Sequence, residues 1–363
     1  MYEWIESPDA LAAWIAAQAP QPIVGLDTEF MRTDTFRPKL ALVQVNIGGA
    51  IALLDAPQLG DHAALAVRLL DPGTVCVMHS ASEDLEALAP LLPAGPAQLF
   101  DTQIAAAMAG LGAGLSYQKL VVALLGIDLP KGETRSDWLK RPLSAAQLEY
   151  AAQDVVHLPL LQAQLDAKLE ALGRRAWLAE DCRRLIDKVR GSAPDPQPQR
   201  AFRTAADWPR ERQALLRRVL LWRDTSARTL DKPRSWILDD ARSLNLVDEP
   251  PRDANDLFER SKGLRALRSA QRHELLELLQ APLTAEELDA TAPVPAPLTS
   301  GEKRLVNTLR DDVARIAAEL NLPEGLLSPR KHLEALVGER AWPAALEGWR
   351  RELLFDALMG KMQ

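Results

Sequence analysis

The 363-residue chain has only two cysteines, Cys76 and Cys182, without the spacing of a zinc site or the pattern of a disulfide framework. Long apolar runs are missing as well, which excludes a membrane-spanning helix from the reading. The first twenty residues, MYEWIESPDALAAWIAAQAP, lack the basic start and long apolar stretch of a signal peptide. A soluble cytoplasmic protein with no membrane partner is therefore expected. An excess of positive charge is also missing: 43 Lys and Arg face 50 Asp and Glu, for a net charge of −7. Taken whole, that is the wrong sign for a chain that binds nucleic acid. The charge is not spread evenly, however. Residues 200–280 hold 17 Lys and Arg against 13 Asp and Glu, a local excess of +4 that leaves −11 for the rest.

What is present divides the chain. Its length allows two or three domains with cores of their own, and its 47% hydrophobic content is ordinary for a globular protein. The stretch GSAPDPQPQ at 191–199 is rich in Pro and polar residues and reads as a linker. A second connector, 283–300, begins with a helical turn and becomes Pro-rich. Before the first linker, apolar segments near 22–28, 39–47, 50–55, 74–78 and 97–100 alternate with helical ones. This predicts an α/β domain with a central mixed sheet. KLALVQVNIGGAIALLD reads as two antiparallel strands joined at Gly48-Gly49. After the first linker only helical periodicity is visible.

Four carboxylates and a tyrosine carry the chemistry. In PIVGLDTEF, Asp27 and Glu29 stand two apart on a strand and project from the same side of the pleat. Two such neighbours raise each other's pKa unless a cation sits between them, and a hard divalent cation favours oxygen ligands of this kind. Alone, such a pair is more often a strand end meeting solvent. In TVCVMHSASEDLEAL a strand runs into a helix; Ser80 and Glu83 fit a capping pattern that puts Asp84 near the first turn. Ser144 and Gln147 form a second capping box, so a helix starts there and carries Tyr150 and Asp154, four apart, on one face. Ala151 leaves room for a bulky ligand in this reading, and Pro159 is expected to kink the helix beyond the acid. Gln44, within an apolar strand, is expected to be a hydrogen-bonded core amide.

These fragments, in this order, resemble the three motifs of the DEDD superfamily of 3′→5′ exonucleases in its tyrosine-bearing subgroup: LDTEF at 26–30, HSASEDLEAL at 79–88 and YAAQD at 150–154. The likeness extends to FRPKLALVQV, FDTQIAA and SDWLKRPL, and over its whole length the chain resembles the ribonuclease D family. The resemblance implies a ribonuclease H-like exonuclease domain followed by two all-α bundles of the HRDC type. It further implies that Asp27, Glu29, Asp84 and Asp154 hold two divalent metal ions, Mg²⁺ or Mn²⁺, for phosphodiester hydrolysis. Tyr150 would orient the attacking water, since a phenol with an ordinary pKa near 10 is a poor base at neutral pH. Glu29 would also touch the terminal 3′-hydroxyl, and nucleoside 5′-monophosphates would leave one at a time.

Weaker substrate contacts are expected from Phe30, Met31 and His79 around the last base, with a structural hydrogen bond as the alternative for His79. Lys131, Arg135 and Trp138 would clamp phosphate and stack on a base, or else belong to a surface loop pinned by one buried tryptophan. The expected domains are an exonuclease at 1–190, a linker at 191–204, an HRDC domain at 205–282, a linker at 283–300 and a diverged HRDC-like domain at 301–363. Within the last, LLSPRKHLEAL loosely echoes LDKPRSWILDDARSL around its Pro. RNA is the expected partner, tRNA precursors and other structured 3′ ends in particular, and a monomer suffices because one chain supplies every ligand. A DNA exonuclease of the same superfamily and a non-catalytic RNA-binding scaffold are the alternatives. Intact acids argue against the scaffold, and the helical modules favour RNA over DNA.

Overall fold

The computed structural model describes residues 1–18, 20–130, 136–191 and 193–362. Two compact units emerge, one of Met1–Met31, Pro38–Ser192 and Leu305–Gln363, the other of Arg32–Arg37 and Ala193–Arg304. Among the described residues no helix is long and apolar enough to cross a membrane.

The first unit is built on a six-stranded sheet: β1 (Glu3–Ile5), β2 (Ile23–Met31), β3 (Lys39–Ile47), β4 (Ala50–Asp55), β5 (Val75–Met78) and β6 (Gln98–Asp101), in the order β1-β4-β3-β2-β5-β6. β2, β3 and β4 run antiparallel, while β1 pairs parallel to β4 and β5 and β6 continue parallel from β2. This is the mixed sheet expected, with one addition. β1 has three residues, too few for an alternation to register, and it escaped the sequence reading. β3 and β4 meet at Gly48 and Gly49, whose positive φ values of 62° and 94° suit a tight hairpin. Leu26, Val43, Val45, Leu53, Leu54 and Val77 are wholly enclosed, the pattern of a sheet covered on both faces. Gly25 in β2 lets a helix close on that sheet: a Cβ there would stand 3.3 Å from Leu158 Cβ and 3.4 Å from Asn46 Cβ. Both cysteines are free and buried, and burial pushes each thiol up to about 12.

Three helices near the C-terminus belong to the same unit: Glu324–Leu327, Arg330–Glu339 and Trp349–Met359. The last of them is bound to the helix Arg175–Arg190 through Asp181, which accepts from Arg350 at 2.6 and 2.8 Å and from Trp349 Nε1 at 3.1 Å. Trp177 stacks on Trp349 at 4.7 Å, and Arg174 donates to the carbonyls of Met108 and Leu320.

The second unit is helical. Its long helix Arg210–Leu230 packs Leu216, Val219 and Leu220 against Leu238, Leu246, Val247, Leu257 and Leu275. Phe36 lies between the guanidinium groups of Arg228 and Arg234, each 4.8 Å from its ring. Asp231 accepts from the backbone N–H groups of Phe36 and Arg37. The two stretches read as linkers meet within this unit: Gln197 bonds the backbone of Ala290 and Ala292, and the Val294 N–H donates to Gln213.

Candidate active site

The sheet face built by β2 and β3 receives a helix that carries the third motif. That helix, Ala145–Val156, packs against β2, β3 and β4. Its start is the expected capping box: Gln147 N–H donates to Ser144 Oγ at 3.2 Å, and Ser144 N–H donates to Gln147 Oε1 at 2.9 Å. Its end is held by two side chains. Asn46 Nδ2 donates to the carbonyls of Val155 and Val156 at 2.9 and 3.3 Å. The Tyr117 hydroxyl donates to the Gln153 carbonyl at 3.0 Å and accepts from the His157 N–H at 3.2 Å. Pro159 does not kink this helix; it sits in the first turn of the next one, Leu158–Ala171, where a missing N–H costs nothing. Ala151 is wholly buried, so its small side chain serves close packing rather than room for a ligand.

With both ends fixed, the helix brings Asp154 to Asp27 and Glu29. One carboxylate oxygen from each of the three lies within 4.8 Å of the others. Tyr150, one turn before Asp154, donates a hydrogen bond to it. Asp84 stands apart from this trio. It is buried in the helix Ser82–Leu88, and its Oδ1 accepts from Thr28 Oγ1 at 2.5 Å. It is still close enough that its charge is the strongest repulsion felt by Asp27.

Burial followed by mutual repulsion governs the electrostatics. Asp27 is raised well above the usual carboxylate range by burial, then by Asp84, Asp154 and Glu29. Burial, Asp154 and Asp84 push Glu29 up to about 8. Burial takes Asp154 to about 7 and Asp84 to about 6, against the opposing hydrogen bonds from Tyr150 and Thr28. Tyr150 itself is raised by burial and by Asp154, Glu29 and Asp27. No described Lys or Arg forms an ion pair with these acids. An all-oxygen donor set of converging, mutually repelling carboxylates fits a hard divalent cation, which would remove the repulsion.

The weaker candidates separate. Phe30 and Met31 remain half-buried at the end of β2, beyond the acids. His79 has both ring nitrogens engaged, Nδ1 at 2.9 Å from Thr102 Oγ1 and Nε2 at 3.0 Å from the Leu115 carbonyl. Burial lowers its pKa, and it holds the fold together rather than facing a base. Trp138, expected as a stacking platform, is 4% exposed and packs its ring 6.1 Å from that of Tyr150. A ring so enclosed offers no open face to a base; it supports the tyrosine. Lys131 and Arg135 lie outside the described residues.

Several positioning groups escaped the sequence reading. Ser80 does not cap the helix of Asp84: its φ is +62°, and Ala81 is the N-cap without a side-chain bond. Asp101, at the end of β6, holds the turn that enters that helix. It accepts from the N–H groups of Ser80 and Ala81, and caps the next helix through Gln103 and Ile104. An Asp before Thr at a strand end was the available signal for that cap. Arg141 joins the Asp55 carboxylate by two 2.8 Å bonds and reaches the carbonyls of Ala41 and Trp138. It thereby anchors the segment that leads into the third-motif helix. Gln44, expected to be satisfied, is fully buried with neither amide atom hydrogen-bonded.

Comparison with known proteins places this geometry. Residues 2–170 match a family model described as 3′-5′ exonuclease. Ribonuclease D of Xanthomonas oryzae pv. oryzae is 45% identical over 363 residues, covering 99% of this chain and 98% of that protein. Ribonuclease D of Escherichia coli K12 is 30% identical, with 100% and 98% covered. The crystal structure of Escherichia coli RNase D, described as an exoribonuclease involved in structured RNA processing, superposes with a TM-score of 0.85 at 28% identity, covering 100% of this chain and 99% of that one.

Proposed function

This chain belongs to the ribonuclease D family, and we propose that its acidic cluster trims RNA from the 3′ end by two-metal-ion hydrolysis. The activity that follows from the family is that of a 3′→5′ exoribonuclease. The observation that carries the mechanism is the convergence of Asp27, Glu29 and Asp154 within 4.8 Å, without a described cationic partner.

Asp27, Glu29 and Asp154 would hold two divalent ions, Mg²⁺ or Mn²⁺, with Asp84 as the fourth carboxylate. When bound, such ions polarise the phosphate and supply a water of lowered pKa. The chain's own groups do the rest. Tyr150, its pKa raised by burial and by the acids, keeps its proton at neutral pH and acts as a hydrogen-bond donor, not a base. It orients the water that attacks the terminal phosphodiester, and Trp138 packs beside it to hold its ring. Phe30 and Met31, half-open at the strand end, line the place of the last base. Glu29 also meets the terminal 3′-hydroxyl. The product is a nucleoside 5′-monophosphate.

The substrate is a structured RNA with an accessible 3′ end, tRNA precursors above all. The exonuclease domain at 1–190 is followed by an HRDC domain at 205–282 and a diverged second copy at 301–363, with 191–204 and 283–300 between them. One chain supplies all four acids, so a cytoplasmic monomer suffices.

The test uses a 5′-labelled single-stranded RNA and its DNA counterpart with Mg²⁺, Mn²⁺ or EDTA on a denaturing gel. A metal-dependent ladder shortening from the 3′ end of RNA, weak on DNA, is the expected result. Equal ladders on both would remove the RNA preference, and binding without any ladder would reduce the chain to a scaffold.

A further inference from the structure

Gln44 stands at the centre of β3, 0% exposed, with neither its amide nitrogen nor its amide oxygen hydrogen-bonded. Buried carboxamides are almost always paired, because leaving one unpaired forfeits its hydration without return. An orphaned one at a functional site calls for an explanation.

Its place in the sheet points to a partner. Gln44 is directly opposite Asp27 in the β2–β3 ladder and opposite Leu53 in the β3–β4 ladder. Side chains directly opposite in an antiparallel pair project from the same face, with Cβ atoms about 5 Å apart. The carboxamide therefore stands beside the Asp27 carboxylate, on the face where Glu29 and Asp154 converge. Leu53, directly opposite on β4, and Leu42, two residues back along β3, have no polar side-chain atoms. Asn46, two residues along the same strand, is used differently: its amide is tied to the end of the third-motif helix.

We propose that Gln44 is a positioning residue for the metal-loaded site: its Nε2–H donates to the Asp27 carboxylate when that group binds a divalent cation. The bond selects which Asp27 oxygen faces the ion and holds it there, as groups behind a metal ligand commonly do. Without the ion, Asp27 and Gln44 are not bonded, and the amide is left unpaired. This inference rests on the metal-site reading above and goes one layer behind it.

Gln44→Met keeps the length of the side chain and removes both polar atoms. Mn²⁺ binding by the full chain, followed by titration calorimetry, should weaken about tenfold. The metal-free melting temperature should stay level or rise, because two orphaned atoms have gone. Unchanged Mn²⁺ affinity in this variant, while Asp154→Asn loses binding, would overturn the inference and leave the metal site standing. Absence of Mn²⁺ binding by the wild type would overturn both. A second measurement needs no change to the chain's core. With ¹⁵N-glutamine labelling, the Gln44 side-chain amide signal, identified by its loss in Gln44→Met, should shift when Mg²⁺ is added. A signal indifferent to Mg²⁺ would assign Gln44 to packing alone.

Discussion

At Asp27, Glu29 and Asp154, burial and mutual repulsion raise the carboxyl pKa values, whereas in the helical unit arginines hold comparable acids down. Burial pushes Asp224 up too, but hydrogen bonds from Arg228 at 2.6 Å and Arg234 at 2.5 Å outweigh it, and the net shift is downward. Glu287 is taken to about 2, first by its hydrogen bonds from Arg218. The difference lies in what each region supplies for its own charge. Acids of the helical unit come with counter-ions from the same fold and contribute to folding. Acids of the sheet site are gathered without them among the described residues, so protons, or a cation in the proposed function, would make up the shortfall.

The comparison breaks most readily at Asp154. Asp154→Asn should lower turnover on the order of a thousandfold or more, because an amide is a poor substitute for a carboxylate ligand. RNA binding measured in EDTA should persist, and wild-type rates in this variant would sink the metal assignment. Tyr150→Phe should lower kcat by about tenfold to a hundredfold with Mn²⁺ affinity unchanged, since it removes orientation and no ligand. Kinetics identical to wild type would make the tyrosine a packing residue.

Stability against pH sharpens the contrast. Each site acid has a folded pKa above its unfolded value, with Asp84 near 6, Asp154 near 7 and Glu29 near 8. The metal-free fold therefore holds protons that the unfolded chain releases. Their contribution is complete below the unfolded carboxylate pKa and is lost as pH rises through 6 to 8. In EDTA the melting temperature should fall over that window, and Mg²⁺ should flatten the fall. A melting temperature that climbs across the same window in EDTA would contradict the raised values. Glu287 has the opposite sign: its contribution is present above the unfolded pKa and disappears as pH falls toward 2. Glu287→Gln should cost about 1 kcal/mol at neutral pH, the scale of a partly exposed ion pair, with kcat unaltered. Chemical denaturation of both proteins measures it, and a loss in kcat would tie this unit to the chemistry more closely than its charges indicate.

Two stretches with the same succession of elements show where sequence reading falls short. The letters around Pro233 echo those around Pro329, but by order of elements Pro233 corresponds to Pro323. In one stretch a long helix ends, Asp231 takes a positive φ, Pro233 follows, and then come a one-turn helix, Arg234–Ile237, and a longer one, Asp240–Asp248. In the other, Ser300–Glu319 is followed by Asn321 with positive φ, Pro323, the turn Glu324–Leu327 and the helix Arg330–Glu339. Ile237 and Leu327 are both wholly buried at equivalent places, as are Leu246 and Leu336 to within 1%. The Pro-Arg letters at 233–234 and 329–330 match, but the left-handed residue that sets the turn precedes Pro233 and Pro323. Hydrophobic pattern alone does not report a φ angle.

Local chemistry determined much of this protein on its own. Alternation placed Asp27 and Glu29 on one pleat face, a capping box set the start of the third-motif helix, and a Gly-Gly pair set the β3–β4 hairpin. Each follows from bonds between residues a few positions apart, which a linear reading captures. Tertiary structure decided which distant group completes each local arrangement. Asp101 holds the turn that leads into the helix of Asp84, Asn46 and Tyr117 hold the end of the Asp154 helix, and Gln44 is left without a partner opposite Asp27. Most buried donors and acceptors find a partner across the fold, and distance along the chain carries no information about which residue will supply it.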